Sequence, residues 1–383
     1  MNRNDILSAV GLTDDAVIHE TVTLRKKYKQ NTLRTVIALA ACFAVVLSGI
    51  WVYGKTRLPL LEITFAHHLY GGGNVMCYDI SAHDETNPWD SQTPIRRLPV
   101  YQNAVTDENW QVHGGLSEKE MTALAEKAAN ALGFAIKDVE KREYSGKLLF
   151  TTDKADILVD PYGTVDIVFG RWGDLDNTGH IPLPDGYHFR DDATFIEAET
   201  ALLYLTETYA DLIGFSQPVP YLTSTFAYSG ERRYEYRVYE GADTAAERIR
   251  NYACKTAYFG CDENGNLSSI SITNALAPAK KLGDYPVISS SEAYEQLLEG
   301  YYVDSHLKDT PVDKDTVICK TALVYRATKD DLTIMPYYVF YVEDPTTYYG
   351  VAEGLTSYLT YHVPAIDRKY IKSLPLWDGT TNT

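Results

Sequence analysis

Twenty consecutive residues without a formal charge, Thr35 to Gly54, separate a basic N-terminal segment from a long acidic remainder. No other feature constrains the chain as tightly. A helix of about 20 residues, rising about 1.5 Å per residue, spans the roughly 30 Å hydrocarbon core of a bilayer. The run is mostly Ala, Val, Leu and Ile, with Trp51 and Tyr53 at its outer end, where amphipathic rings favour an interface. Arg25, Lys26, Lys27, Lys29 and Arg34 precede it, and only Lys55 and Arg57 follow closely. This asymmetry predicts a single-pass cell-membrane protein: residues 1–34 as a cytoplasmic tail, 35–54 as a transmembrane helix, and 55–383 as the extracytoplasmic part. A cleaved signal would have a shorter leader and an apolar core of about 7–15 residues. Leu39-Ala40-Ala41-Cys42 spells a lipoprotein box, but such a box ends its apolar core and this one would bisect it. The C-terminal stretch from Leu374 to Thr383 has no apolar tail and predicts no second anchor.

Charge narrows the partners. Residues 55–383 hold 29 Lys and Arg against 48 Asp and Glu, a net of −19, whereas residues 1–34 hold six against four, a net of +2. A nucleic-acid partner is excluded on that ground, because neutralising phosphates needs a basic face. The cysteines beyond the uncharged run are Cys77, Cys254, Cys261 and Cys319. Cys254 and Cys261 are seven apart in a run that reads as one strand, roughly 20 Å apart on opposite faces, and so unable to bridge. The four read as small buried side chains, with one disulfide as the alternative. Tyrosine is abundant, at 30 residues, and clusters in strand-like runs where the ring packs on a sheet and the hydroxyl reaches water.

In the tail, Asn4 and Thr13 can cap two short helices. In the second, Val17, Thr21, Leu24 and Tyr28 share one face. Val17, Leu24 and Tyr28 are the candidate docking residues for a cytoplasmic regulatory protein; the alternative is a helix lying on the lipid surface. Beyond the uncharged run one grammar recurs three times. Ser117–Glu120, Thr194–Glu197 and Ser289–Glu292 are capping boxes, each opening an apolar helical stripe that Gly133, Gly214 or Gly300 stops. Alternating strands follow each helix, for example Leu148–Thr152, Tyr234–Tyr239, Tyr252–Phe259 and Tyr337–Val342. The expected fold class is α+β: helix-on-antiparallel-sheet units over 116–190, 191–283 and 284–383, after a strand and loop region over 55–115.

Chemistry is sparsely marked. No G-x-S-x-G, H-E-x-x-H, P-loop or dinucleotide fingerprint occurs, no cofactor is expected, and the chain does not read as an enzyme. Gly71-Gly72-Gly73 reads as a loop. Ser305-His306-Leu307-Lys308 spells S-x-x-K without a following K-T-G. His67, His68, Cys77 and His83 lie close together, but their spacing matches no closed zinc site. Asp174, Asp176, Thr178 and Asp185 fall at ligand positions of a calcium loop, yet Pro182 and Pro184 forbid the exit helix at once. The reading is an ordinary acidic turn, with a calcium-stapled loop as the alternative for which these four are the metal candidates.

Two stretches carry resemblances. Tyr78-Asp79-Ile80-Ser81, Asn87-Pro88-Trp89 and Leu98–Asn103, with Ala38–Cys42, resemble uncharacterised single-pass membrane proteins of Clostridia, some of which resemble membrane partners of alternative sigma factors. Ile288–Tyr294, Pro336–Val342 and Tyr361–Pro364 are similar to the PepSY-like ectodomains of YycI and YycH regulators of Gram-positive two-component systems. Both imply signalling without catalysis. The function expected is therefore a membrane signalling or regulatory protein: a non-catalytic ectodomain that binds or senses, and a tail that docks a sigma factor or sensor kinase. The alternatives are a structural or adhesive surface protein with an inert anchor, and an extracytoplasmic enzyme or ligand carrier.

Overall fold

A computed structural model describes residues 58–63, 75–106, 112–142, 145–173, 179–303, 312–328, 331–344 and 351–374. The chain divides into Met1–Leu58 and Pro59–Thr383, and the fold described is that of the second unit. The expected span, residues 35–54, and the tail candidates Val17, Leu24 and Tyr28 lie outside the described residues. Among the described residues no helix is long and apolar enough to cross a membrane. The longest of them has 15 residues and a polar face, about 22 Å at 1.5 Å per residue, short of a bilayer core. These findings correct the expectation of a single-pass cell-membrane protein with an extracytoplasmic C-terminal part.

Helices begin where side-chain chemistry can hold their free amides. Helix α1 (Glu118–Leu132) starts at Ser117, which accepts from the Glu120 amide while the Glu120 carboxylate accepts from the Ser117 amide at 2.8 Å. It stops at Gly133, whose φ of 68° only glycine adopts without strain. Thr194 and Glu197 open α2 (Phe195–Thr208) in the same way, and α3 (Ala210–Ile213) continues it. Thr244 caps α4 (Ala245–Cys254), and Ser289 with Glu292 opens α5 (Ser290–Leu298).

The strands are β1 (Leu61–Glu62), β2 (Val75–Cys77), β3 (Arg97–Gln102), β4 (Val105–Thr106), β5 (Val112–His113), β6 (Ile136–Arg142), β7 (Lys147–Thr152), β8 (Ala155–Val159), β9 (Thr164–Phe169), β10 (Pro218–Phe226), β11 (Arg232–Glu240), β12 (Lys255–Cys261), β13 (Leu267–Asn274), β14 (Lys280–Pro286), β15 (Ile318–Arg326), β16 (Thr333–Glu343), β17 (Thr356–Pro364) and β18 (Ile371–Ser373). Eight form one antiparallel sheet in the order β10-β11-β12-β13-β9-β8-β7-β6. A second sheet runs β14-β3-β16-β17-β2, with β15 on the other side of β16.

This arrangement corrects the α+β expectation. Strands make up 41% and helices 20% of the described residues, which are therefore mostly β, with helices lying as covers on two large sheets. The first sheet crosses the expected boundary at residue 190: β13 pairs with β9, Ser271 opposite Asp166. Likewise β3, from the expected loop region, pairs with β14 and with the start of β16. Alternation in a sequence marks which face of a strand is buried and says nothing about its neighbour. The expected strand at Tyr252–Phe259 also shifts. Its first residues are the last turn of α4, so Cys254 closes a helix and Cys261 ends β12. All four described cysteines are free thiols.

Two cores result. Phe150, Ile157, Ile167, Phe259 and Tyr236 on one face of the first sheet pack against Ala125 of α1 and Leu202 and Leu205 of α2. Leu323, Phe340, Tyr361 and Val363 of the second sheet pack against Ile249 of α4 and Leu297 of α5. On the reverse face of the second sheet, Cys77, Ala322, Val339, Tyr341 and Tyr358 cluster, with Phe226 of β10 packed against them. Strand β10 is the end strand of the first sheet, and the loop after β2 fills the space beside it.

Candidate functional site

The loop 78–86 is built from short-range hydrogen bonds and anchored on three sides. The Asp79 Oδ1 accepts from the Ser81 amide at 2.9 Å and its hydroxyl at 2.7 Å, a turn that aspartate favours. The His83 amide donates to the Ile80 carbonyl and the Asn87 amide to that of Asp84. Lys320 of β15 donates to the Ser81 carbonyl at 3.4 Å, and Thr86 shares a hydrogen bond with the Tyr252 hydroxyl of α4 at 3.3 Å. The Tyr78 ring meets the Phe226 ring edge-on at 5.0 Å, and His83 meets Tyr341 at 5.6 Å. Behind the loop, Tyr221, Tyr239 and Tyr252 form a closed triangle of rings 4.9–5.7 Å apart.

Asp84 sits at the centre of this construction. Its φ of 53° is the only positive value at a non-glycine among the described residues. Aspartate tolerates that region better than most residues, yet such backbone persists only where surrounding contacts determine it, and it gathers at functional sites. The contacts are present: His83 Nε2 lies 3.4 Å from Asp84 Oδ2, and the buried Tyr341 hydroxyl hydrogen-bonds the same carboxylate.

Between this loop, the edge of β10 and the first residue of α2 lies a cavity of about 300 Å³. Tyr78, Phe195, Leu222 and Phe226 give it apolar walls, and Tyr78 and Phe195 are 50% and 54% exposed at its rim. Asp79, Asp84 and Glu85 line it, together with His83; among its described lining residues none is Lys or Arg. Tyr234 of β11 closes one wall. That residue is 5% exposed, and its hydroxyl has no hydrogen-bond partner.

Electrostatics define what the cavity can do. The hydrogen bonds from Ser81 hold the Asp79 carboxyl below the usual range, so it is ionised at neutral pH. Burial pushes the His83 imidazole down, with Asp84 offsetting part of the effect, so His83 is neutral there. Burial, then the charge of Asp79, pushes the Cys77 thiol up to about 11. A thiol at that value is protonated, and the thiolate is the nucleophile of cysteine chemistry. Burial raises Tyr221 to about 12 and Tyr252 and Tyr341 further. Lys320, lowered by burial, brings one ammonium to the far side of the loop. Three carboxylates line the cavity itself and make it anionic; the Lys320 ammonium and the Arg232 guanidinium, 4.2 Å over the Tyr234 ring, stand behind its walls.

The sequence-derived candidates fare unevenly. Asp174, Asp176 and Thr178 lie outside the described residues, as do His67, His68, Ser305 and Lys308. Asp185 is an exposed acid on the turn closed by the Tyr187 amide and the Pro184 carbonyl. Among the described residues no group of three or more His, Cys, Asp or Glu is arranged to hold a metal ion. Cys77 and His83 do share one cavity, though without a metal-binding arrangement. Sequence reasoning missed Asp84, Glu85, Phe195 and Tyr234. For Tyr78 and Asp79 the only signal was the Tyr-Asp-Ile-Ser resemblance.

No family model matches the chain, and no curated protein matches it. A crystal structure of an uncharacterised protein from Eubacterium rectale is similar at 13% identity, over 71% of this chain and 84% of that one, with a TM-score of 0.36. A likeness at that score carries no argument about the site.

Proposed function

We propose that the protein is a non-catalytic recognition module of a regulatory kind, and that the cavity beside β10 receives the cationic group of a small ligand carried on an apolar body. The observation that carries this reading is the lining itself: three carboxylates set among Tyr78, Phe195 and Phe226. A cation over an aromatic face is attracted by the ring quadrupole, and a carboxylate beside it adds a charge-assisted hydrogen bond. An anionic ligand would face three carboxylates, with only neutral polar groups, among them His83, Thr86, Thr223, Ser224 and Tyr234, to receive it. A sensing role accords with the likeness to PepSY-like regulator domains, and the neutral Cys77 thiol favours binding over covalent chemistry.

Titration calorimetry with benzyltrimethylammonium and arginine methyl ester, against benzyl alcohol and benzoate, tests the reading. The cations bind, more weakly at high salt, and benzoate does not. The double variant Asp79→Asn/Glu85→Gln, at two exposed positions, loses about tenfold or more in affinity. Equal binding of benzoate, or an unchanged double variant, would overturn it.

A further inference from the structure

The segment that walls the cavity runs on into a second, separate hollow. An open groove of about 850 Å³ lies between residues 89–91, the start of α5, and strands β15 and β16. We propose that this groove binds a neutral saccharide.

Its apolar lining is Trp89, Tyr294 and Phe340 with Ile318. Phe340 is 2% exposed, and Tyr294 of α5 packs near it at 6.3 Å. Trp89 is held by the hydrogen bond from its amide to Asn87 Oδ1 at 3.0 Å and by an edge contact with Tyr338 at 5.8 Å. Trp89 and Tyr294 both remain partly exposed. Hydroxyls dominate the polar lining: Ser91, Ser290, Ser291 and Thr321, with that of Thr316 already engaged by the Asp313 amide and carboxylate at 3.0 Å. Ser290 and Ser291 also begin α5, so their amides have no intrahelical acceptor and remain as donors. Of the two acids, Asp90 is already engaged, its Oδ1 accepting from the Gln92 amide at 2.7 Å and its Oδ2 from the Thr93 hydroxyl at 2.6 Å. Glu295 is left as an exposed acceptor.

A pyranose ring offers a face of C–H groups and a girdle of hydroxyls. The face suits an aromatic ring, and the girdle exchanges hydrogen bonds with the serine and threonine hydroxyls, the α5 amides and Glu295. An anionic sugar or a phosphate would meet two carboxylates and, among the described lining residues, no Lys or Arg. An apolar ligand would strand the hydroxyls without water or partner. A small cation would find one disengaged carboxylate among four disengaged hydroxyls, a poorer match than the cavity beside β10 provides. The groove's volume falls in the range of sites that hold small ligands, about 300–1,000 Å³.

Saturation-transfer NMR and calorimetry of the full chain with cellohexaose, maltohexaose and chitohexaose test the proposal, with oligogalacturonate and choline as charged controls. At least one neutral oligosaccharide binds at micromolar to millimolar concentration. Trp89→Ala and Glu295→Gln each weaken that binding by about tenfold or more. Trp172→Ala, at an exposed ring on another part of the surface, leaves it unchanged, as does Asp79→Asn/Glu85→Gln in the cavity. Should Trp89→Ala fail to fold, Glu295→Gln with Thr321→Ala carries the same comparison. No neutral saccharide bound at millimolar concentration, binding of the charged controls alone, or binding indifferent to every groove variant would overturn the proposal.

Discussion

Replacing Asp84 separates two effects that the structure superimposes, a left-handed backbone and a buried hydrogen bond. Tyr341 is 4% exposed and its hydroxyl donates to the Asp84 carboxylate. Removing the acceptor strands that hydroxyl, at about 1–3 kcal/mol. Alanine at φ 53° adds a further penalty of about 1 kcal/mol, because its Cβ crowds the carbonyl and it lacks the side-chain hydrogen bonds that ease aspartate into that region. Asp84→Ala should therefore destabilise by about 2–4 kcal/mol. Glycine loses the same acceptor but relieves the backbone, for a net of about 1–2 kcal/mol. Asparagine keeps an acceptor and tolerates the conformation, and should cost about 1 kcal/mol or less. Urea unfolding followed by tryptophan fluorescence gives the order Asn, Gly, Ala from least to most damaging. A double-mutant cycle with Tyr341→Phe should show about 1 kcal/mol of coupling or more. Glycine as damaging as alanine would refute the backbone argument, and strict additivity with Tyr341→Phe would refute the hydrogen-bond argument.

Other consequences are equally concrete. His83 has a folded pKa below its ordinary 6.5, through burial, so between those values the unfolded chain holds the extra proton; stability is complete above 6.5 and falls as the pH drops through that window. Denaturation at pH 7.5 and 5.5 should show this loss in the native chain and a smaller one in His83→Gln, with Asp84, Lys320 and Glu235 as the neighbouring charges common to both. Leu205→Ala empties a site 1% exposed beneath α2 and should cost about 2–5 kcal/mol, whereas Leu203→Ala, 47% exposed on the same helix, stays within about 0.5 kcal/mol; matched thermal melts decide between them. Gly163 has φ 92°, and a Cβ there would stand 2.3 Å from the Asn274 carbonyl oxygen, so Gly163→Ala should cost more than about 3 kcal/mol and speed amide exchange at Asn274, which donates to the Gly163 carbonyl.

What the sequence disclosed was local. The S/T-x-x-E signatures at Ser117, Thr194 and Ser289 mark true helix starts because a capping box is closed by residues three apart. The same signature at Thr244–Glu247 went unread, since the aromatic run after it resembled a longer strand than β12 proves to be. Strands β7 and β11 lie where alternation places them. The pairing of β9 with β13 and of β3 with β14 and β16 depends on contacts between distant segments, which alternation does not encode. The same reason hides the cavity. Asp79 and Glu85 are ordinary loop acids until β10 and α2 bring Phe226 and Phe195 beside them, and nothing adjacent in sequence announces that Asp84 adopts a left-handed backbone.

The seam between β9 and β13 also sets a timetable for synthesis. A nascent chain that has emerged only as far as β9 holds four paired strands, and the edge at β9, unlike that at β6, waits for a partner until β13, beginning at Leu267, leaves the ribosome. An unpaired edge is where chains join one another wrongly. The cavity is completed later still, because its loop leans on Lys320 and Tyr341. A chain ending before β15 would carry every residue that lines the cavity and lack both Lys320 and Tyr341, on which its loop leans. Binding of the proposed cationic probe would thus report that synthesis had passed Tyr341, a stricter test of intact product than secondary structure alone.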